Sequence, residues 1–304
     1  MGTSLSNYSI NYLPGNLIVN PAVLNVTADS KSITYGAVSL PALTYVVSGF
    51  KNGDSLITGS LTTGVSIYNG TAGSASNVGN YPINLGSLSA GSNYSINFTS
   101  ANLAVTPATL TVTANSQSAT YGTAHTLGTS AFTPVGLVNG DTISSVDLTV
   151  GGISTIPGTT NAGSYAIVSG GAQGVRLSNY NITYQAGVLT INPKPINVVA
   201  NSATMVYADS VLPALSYQAV TGLVNGDQLS GNLSTTATPF NGSAGSASNV
   251  GTYQINQGTL TAGSNYAINY TPATLTVTPA SLTITANDQH RHMALLRSFL
   301  KMPY

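Results

Sequence analysis

Residues 107–122 read PATLTVTANSQSATYG, and this stretch decides the fold class. Polar and apolar residues alternate through residues 109–114, which is the period-two pattern of a strand with one buried face. Threonine and valine lose rotamer freedom in a helix, so the same residues disfavour helical structure. Pro107 cannot donate a ladder hydrogen bond and therefore marks the start of the strand. The stretch predicts a β-strand followed by a turn.

The pattern returns along the chain at a fixed step of 86 residues. It is carried by Asn-Tyr pairs that begin at Asn7, Asn93, Asn179 and Asn265, by Pro21, Pro107, Pro193 and Pro279, and by Tyr35, Tyr121 and Tyr207. Asn-Gly-Asp recurs from Asn52, Asn139 and Asn225, with a slip of one residue in the middle copy. A fixed period of this kind predicts a tandem array. We predict module 1 at 22–107, module 2 at 108–193 and module 3 at 194–279. Residues 1–21 match the end of a repeat, and 280–304 hold the first strand of a truncated repeat plus an unrelated tail.

Each copy shows the strand and turn pattern of a small β-module. In module 2, Asn139-Gly140 tolerates positive φ at both positions, as a type I′ hairpin turn requires, and residues 143–150 follow as a strand. Residues 179–184 and 187–191 predict a final hairpin. A β-solenoid would repeat at roughly 20–30 residues, and no such subperiod is present. The predicted fold class is all-β, with tandem sandwich-like modules of the immunoglobulin or β-grasp kind.

The joins between copies predict how the modules are arranged. Pro107 and Pro193 separate the last strand of one copy from the first strand of the next by about one residue. A linker this short leaves little hinge freedom. Head-to-tail modules with stiff joins predict a linear, monomeric rod.

The composition excludes several classes of protein. Only 5% of residues are charged, where about 25% is typical, and there is no cysteine. Disulfides and thiolate metal sites are thus excluded, and the mildly acidic body lacks the basic patch of a nucleic-acid-binding protein. No apolar run is long enough to span a membrane. The first residues lack a signal-peptide pattern, which we attribute to the chain being a fragment.

Three repeated acids and one histidine are the candidate site residues of the modules. Asp54, Asp141 and Asp227 each follow an Asn-Gly pair. Calcium needs six to eight oxygens and each turn offers one carboxylate, so we favour aspartates that cap turns over calcium ligands. His125 has no counterpart in the other copies and is interpreted as a solvated loop residue.

The remaining candidates also favour structural interpretations. Tyr94, Tyr180 and Tyr266 stand at fixed strand positions, which favours core or cross-strand pairing over an exposed contact for sugars or proteins. His290 and His292 form a lone pair of imidazoles, which is not a metal site. Residues 293–302 have helical spacing, and we favour a disordered tail over a membrane-surface helix. We therefore predict no catalytic, cofactor-binding or metal-binding residues, and no enzyme activity.

Longer stretches resemble a known family. LTVTANSQSATYGTA (110–124), LVNGDQLSGNLSTTA (223–237) and SLTITAND (281–288) are similar to the MBG domain of the YGX type. Tyr35-Gly36 and Tyr121-Gly122 match the Tyr-Gly that names it, whereas the third copy has Tyr207-Ala208. In this family such arrays occur in large bacterial surface and secreted proteins of the filamentous-haemagglutinin kind, without catalytic residues.

The resemblance implies a function and a location. We expect a non-catalytic spacer or stalk segment of an adhesin or exoprotein, extracellular or at the bacterial cell surface. The alternative is a repeated carbohydrate- or host-protein-binding module, and host glycans or proteins are the expected partners of a full-length adhesin. A shared binding site should keep its loop in every copy, but residues 151–162 differ from 71–78 and 243–250. This variation favours the spacer.

Overall fold

A computed structural model describes residues 5–289, so the interpretations of His290, His292 and residues 293–302 lie outside the described residues. The described chain forms two compact units, one of residues 5–119 and 123–192 and the other of residues 120–122 and 193–289. Across this part of the chain the structure is almost entirely β. Its helical turns are two short 3₁₀ helices, Leu5–Asn7 and Leu177–Asn179.

Module 1 lies in the first unit and consists of two sheets. Three strands form the first sheet: β1 (Ala22–Ala28) pairs antiparallel with β3 (Tyr45–Ser48) and parallel with β6 (Tyr94–Thr99). The second sheet has the order β2-β7-β5-β4, with β2 at Lys31–Thr34, β4 at Thr62–Thr63, β5 at Gly79–Asn84 and β7 at Ala101–Thr106. Strand β2 runs parallel to β7.

Module 2 repeats this plan, and two strands of its four-stranded sheet are longer than their counterparts. Strand β8 (Ala108–Ala114) lies between β11 (Phe132–Val135), which is antiparallel to it, and β15 (Tyr180–Gln185), which is parallel. The other sheet has the order β12-β14-β16-β9, with β9 at Gln117–Thr120, β12 at Ile143–Thr149, β14 at Gly163–Gly174 and β16 at Gly187–Asn192. A small pair joins β10 (His125–Thr126) to β13 (Thr155–Ile156).

Module 3 lies in the second unit. Strand β17 (Lys194–Val199) pairs parallel with β21 (Tyr266–Thr271). A four-stranded sheet has the order β18-β22-β20-β19, with β18 at Ala203–Val206, β19 at Ser234–Thr235, β20 at Gly251–Asn256 and β22 at Ala273–Thr278. The predicted all-β fold of small tandem modules is confirmed.

The alternation that predicts β8 also builds the core of module 2. Ala108, Leu110, Val112 and Ala114 are buried, with Leu110 and Val112 fully enclosed. Strand β16 of the other sheet contributes Leu189, which is also fully buried. Burying each such aliphatic side chain stabilises a fold by roughly 1.5–3 kcal/mol. The apolar face of each sheet is thus the source of its packing energy.

Both hairpin predictions need correction. Strands β15 and β16 do not pair with each other, because β15 pairs with β8 and β16 with β14. One residue, Ala186, separates them, which is too few for a hairpin loop, and the chain changes sheets there. At Asn139-Gly140 the turn is as predicted, with φ of 57° and 68° and a 3.0 Å bond from the Asp141 amide to the Val138 carbonyl. It connects the two sheets, however, and not two paired strands.

Truncation of Leu189 tests the assignment of this core. Leu189→Ala should lower the free energy of unfolding of the first unit by about 2–5 kcal/mol, since the side chain is fully buried and leaves a cavity. Urea unfolding followed by circular dichroism measures this loss. Val188→Ala on the same strand is the control, because Val188 is 43% exposed and should cost less than about 1 kcal/mol. Equal losses from the two variants would contradict the assigned face.

Candidate functional site: a tyrosine–aspartate joint

Tyrosine and aspartate residues that recur at the step of the repeat contact each other within the first unit. The hydroxyl of Tyr35, in module 1, donates to Asp141 Oδ2 of module 2 at 2.8 Å. The hydroxyl of Tyr180 donates to the same oxygen, also at 2.8 Å. The two rings pack edge to face, with centroids 5.5 Å apart and planes at 81°. We call the cluster of Tyr35, Asp141 and Tyr180 the joint. Hydrogen bonds to a carboxylate are about twice as strong as hydrogen bonds between neutral groups, so the joint stabilises the contact between the two modules.

Local backbone structure places Tyr35 at the tip of module 1. Strand β2 runs parallel to β7, and the amide of Tyr35 continues this pairing by donating to the Thr106 carbonyl at 2.8 Å. Gly36 then turns the chain with a φ of 79°. Glycine adopts this region without steric cost. The Tyr-Gly pair therefore directs the phenol away from module 1, beside the end of β7, which is the strand that leads into module 2.

Tyr180 holds the Asn-Gly-Asp turn that receives Tyr35. The amide of Val138 donates to the Tyr180 hydroxyl at 3.0 Å, and the Val138 carbonyl lies 3.0 Å from the same oxygen. Tyr180 begins β15 and lies opposite Ala108 in the parallel ladder. The Asn-Tyr pair and the Asn-Gly-Asp turn thus form one preassembled acceptor inside module 2.

Asparagine side chains extend the joint to a loop of module 1. Asn139 is 1% exposed; its Nδ2 donates to the Tyr35 hydroxyl at 2.7 Å and its Oδ1 accepts from the Ala75 amide at 3.1 Å. Asn179 accepts from the Val78 amide at 2.8 Å and donates to Asn77 Oδ1 at 3.0 Å. In both amides the oxygen and the nitrogen each have a hydrogen-bond partner, as buried polar groups require.

An ion pair neutralises the buried carboxylate. The Arg176 Nε donates to Asp141 Oδ1 at 2.5 Å, and Asp141 is 5% exposed. Hydrogen bonding to Asp141 raises the pKa of Arg176. A buried carboxylate without such a partner would be strongly destabilising. Arg176 itself adopts a left-handed backbone, with φ of 58°.

The contact is close enough to require glycine on both sides. A Cβ atom on Gly36 would lie 2.4 Å from Val138 Cγ2, and one on Gly140 would lie 2.5 Å from the Cβ of Ala72. Carbon atoms in contact normally stay about 3.5–4 Å apart. Any larger residue at either glycine must therefore separate the two modules.

The second unit contains the same arrangement. Here the hydroxyls of Tyr121 and Tyr266 donate to Asp227 Oδ2 at 2.8 and 2.9 Å, with ring centroids 5.4 Å apart at 79°. The Val224 amide donates to the Tyr266 hydroxyl at 2.9 Å. A Cβ atom on Gly122 would lie 2.6 Å from Val224 Cγ2. The arrangement is therefore a property of the repeat.

The role predicted for the aspartate side chains was wrong. The backbone amides of Asp141 and Asp227 close their turns, whereas the side chains accept tyrosine hydroxyls. Tyr180 and Tyr266 are buried at cross-strand positions, as predicted, but their hydroxyls serve the aspartates. A signal was present, because the tyrosines, glycines and aspartates share one period. Residues 5–289 hold no group of three or more His, Cys, Asp or Glu that could bind a metal.

Two features of the site escape sequence reasoning. His125 is half-buried in β10, where its Nε2 lies 2.8 Å from Gln117 Oε1, so its interpretation as a solvated loop residue is also wrong. Arg176 stands where module 3 has Ala262, and this departure from the repeat is the only sequence signal for the ion pair.

Removal of one hydroxyl tests the joint. Tyr35→Phe keeps the ring but deletes the donor to Asp141 and the acceptor for Asn139. The free energy of unfolding of the first unit should fall by about 1–3 kcal/mol, because two buried polar groups lose a partner. Tyr165→Phe is the matched control, since its hydroxyl makes an exposed bond to the Asn161 carbonyl and should cost about 0.5 kcal/mol or less. Similar losses in urea unfolding would argue against the joint.

Alkaline pH should weaken the first unit through the same tyrosines. Burial raises the pKa of Tyr180 and of Tyr35, and the Asp141 carboxylate raises both further. The unfolded chain ionises near pH 10, about the ordinary tyrosine value, while the fold keeps its protons. Stability is thus complete below about pH 10 and falls as pH rises above it. Tyr180→Phe should make this fall shallower in urea unfolding between about pH 9 and 11, and an unchanged slope would refute the assignment.

The similarity of this chain to solved structures is weak. Comparison with curated protein sequences finds no match. Similar solved structures include an I-band fragment of titin (12% identity, 85% of this chain and 97% of that chain, TM-score 0.25) and the four N-terminal immunoglobulin domains of Dscam1 (12%, 87% and 73%, TM-score 0.21). Another is the Bacteroides ovatus mixed-linkage glucan utilization locus protein SGBP-B with a mixed-linkage heptasaccharide (15%, 88% and 69%, TM-score 0.14).

The family comparison is decisive. The model of the MBG domain (YGX type) matches residues 24–104, 110–190 and 196–276, which together span most of the sequence. The tyrosine and glycine of that type, at Tyr35-Gly36 and Tyr121-Gly122, are the residues that enter the joints. The chain belongs to the MBG domain (YGX type) family.

Proposed function

We propose that this chain is a non-catalytic spacer, a stalk segment of a bacterial surface adhesin or exoprotein. The observation that carries the proposal is the joint of the first unit. Tyr35 and Asp141 stand at recurring positions of the repeat and connect two modules, and Asp141 is enclosed by Tyr35, Tyr180 and Arg176. Residues kept in every copy of a binding module would instead line a surface open to its ligand. Here they serve to connect modules.

The connection between the first two modules has the form that a stalk requires. Strand β7 ends at Thr106 and β8 begins at Ala108, so Pro107 alone separates them. We therefore place a module boundary at Pro107 and, by the same repeat, another at Pro193. A one-residue linker together with the hydrogen bond from Tyr35 to Asp141 restricts bending at the first boundary.

The family and composition support an extracellular setting. MBG repeats are typical of extracellular proteins. Within residues 5–289, no helix has the length and hydrophobicity needed to cross a membrane. With 5% charged residues, the surface is hydrated mainly by hydroxyl and amide groups. Host glycans or proteins would then be contacted by other parts of a full-length adhesin, and catalysis is not expected of these modules.

Small-angle scattering of the full chain tests the spacer. A compact protein of this length has a radius of gyration of roughly 19 Å. Three modules end to end, each roughly 35–45 Å long, should give about 30–40 Å. A value near that of the compact protein would refute the stalk.

A variant of the joint adds a control for stiffness. Gly36→Val should broaden the scattering-derived distance distribution, because the new side chain meets Val138 and opens the joint. Gly53→Val is the matched control: Gly53 has a φ of 81°, yet nothing lies within 4 Å of its Cβ position.

A glycan-binding screen tests the alternative function, since affinity of the chain for a defined glycan would favour the binding module.

A further inference from the structure

Module 1 has a complete acceptor that receives no second tyrosine from residues 5–289. The hydroxyl of Tyr94 donates to Asp54 Oδ2 at 2.8 Å and accepts from the Lys51 amide at 3.0 Å. Tyr180 and Tyr266 make the same contacts with their own turns. Asp141 and Asp227 each accept two phenols, however, whereas Asp54 accepts one among the described residues.

The surface around Asp54 is open. Asp54 and Asn52 are exposed, whereas Asp141 and Asn139 are buried. A hollow of about 560 Å³ is lined by Pro21, Lys51, Asp54 and Tyr94 among others, and a second of about 350 Å³ adjoins it across Asp54 and Tyr94. The Asp54 carboxylate therefore faces free space at the position where the other acceptors hold a Tyr-Gly turn, and the Tyr94 ring beside it is contacted edge-on by Phe50, with centroids 5.5 Å apart.

We propose that this surface, the Asp54–Tyr94 face, binds the Tyr-Gly turn of a further MBG module. The proposal rests on the spacer role given above and names the partner of the one acceptor that is open. The incoming phenol donates to Asp54 and its ring packs on Tyr94, as Tyr35 does with Asp141 and Tyr180. The face selects glycine after the tyrosine, because a Cβ on Gly36 would lie 2.7 Å from the Cβ of Val138, and Lys51 also carries a Cβ at that position.

This selection excludes the Tyr207-Ala208 turn of module 3. Ala208 has a φ of 68° and carries the methyl group that Gly36 and Gly122 lack. Tyr207 is 40% exposed. The chain should therefore not polymerise head to tail through this turn, and the face accepts only modules that have glycine after this tyrosine.

An extended chain tests the proposal. Residues 7–20 stand in the repeat where 179–192 stand, so placing residues 108–178 directly ahead of Asn7 completes a module that presents Tyr121-Gly122. The chain has no cysteine, and Lys51→Cys gives each chain a single thiol. Iodoacetamide should alkylate the thiol at position 51 at least about tenfold more slowly in the extended chain than in the unextended one. This factor corresponds to a face that is covered by the added module for about nine-tenths of the time.

Two controls distinguish specific binding of the Tyr-Gly turn to the Asp54–Tyr94 face from nonspecific covering of the thiol by the added residues. Gly122→Ala in the added copy should return the alkylation rate to that of the unextended chain, because the methyl group meets position 51. A second extension, residues 22–92 ahead of Asn7, presents Tyr35-Gly36 and should protect the thiol as well, so failure of one added module to fold does not decide the result. Equal rates with and without both extensions would overturn the proposal; they would mean that Phe50, which packs edge-on against Tyr94, already fills the place.

A thiol in the joint of the first unit tests the spacer independently. Val138→Cys in the unextended chain should react slowly, and Gly36→Val in the same chain should make it react faster. Slow alkylation here with fast alkylation at position 51 in both extensions would refute the Asp54–Tyr94 face alone. Fast alkylation at position 138 would refute the joint, and with it the basis of the spacer.

Discussion

Two phenols that share one carboxylate oxygen are the interaction on which the arrangement of the first two modules depends. Asp141 accepts both hydrogen bonds on one oxygen, and its other oxygen forms the ion pair with Arg176 that a buried carboxylate needs. The rings must pack edge to face to bring both hydroxyls to the same oxygen. Glycine must occupy both turns, because a Cβ on Gly36 would meet the Val138 side chain and one on Gly140 would meet Ala72. Each requirement removes freedom at the boundary.

The scarcity of charge in this chain gives these contacts unusual weight. Asp54, Asp141 and Asp227 are three of the seven acidic residues, and all three belong to acceptors for tyrosine. A large share of the few acidic residues thus serves these contacts, while hydroxyl and amide groups hydrate most of the remaining surface. Charge-assisted bonds between weakly charged surfaces are also selective, since few competing ion pairs exist.

The sequence was sufficient to predict the strands and the repeat, but not which strands pair. Period-two alternation located β8 and its buried face, because alternation reports burial directly. Alternation does not distinguish parallel from antiparallel pairing, so it cannot reveal that the chain changes sheets at Ala186 and does not form a hairpin there. The joint was missed for a related reason. Tyr35 and Asp141 lie 106 residues apart, and each looks locally like an ordinary turn residue; only their common period connects them.

The parallel pairing within module 1 has a mechanical consequence. The chain enters the module at the start of β1 and leaves at the end of β7, and β2, which continues from β1, lies parallel to β7. Tension along the chain pulls these neighbouring strands in opposite directions along their axes. The hydrogen bonds between them are then loaded in shear, all at once, and cannot be unzipped one at a time. A protein anchored at one end and pulled by flow at the other would therefore resist extension through this strand pair before its core is exposed.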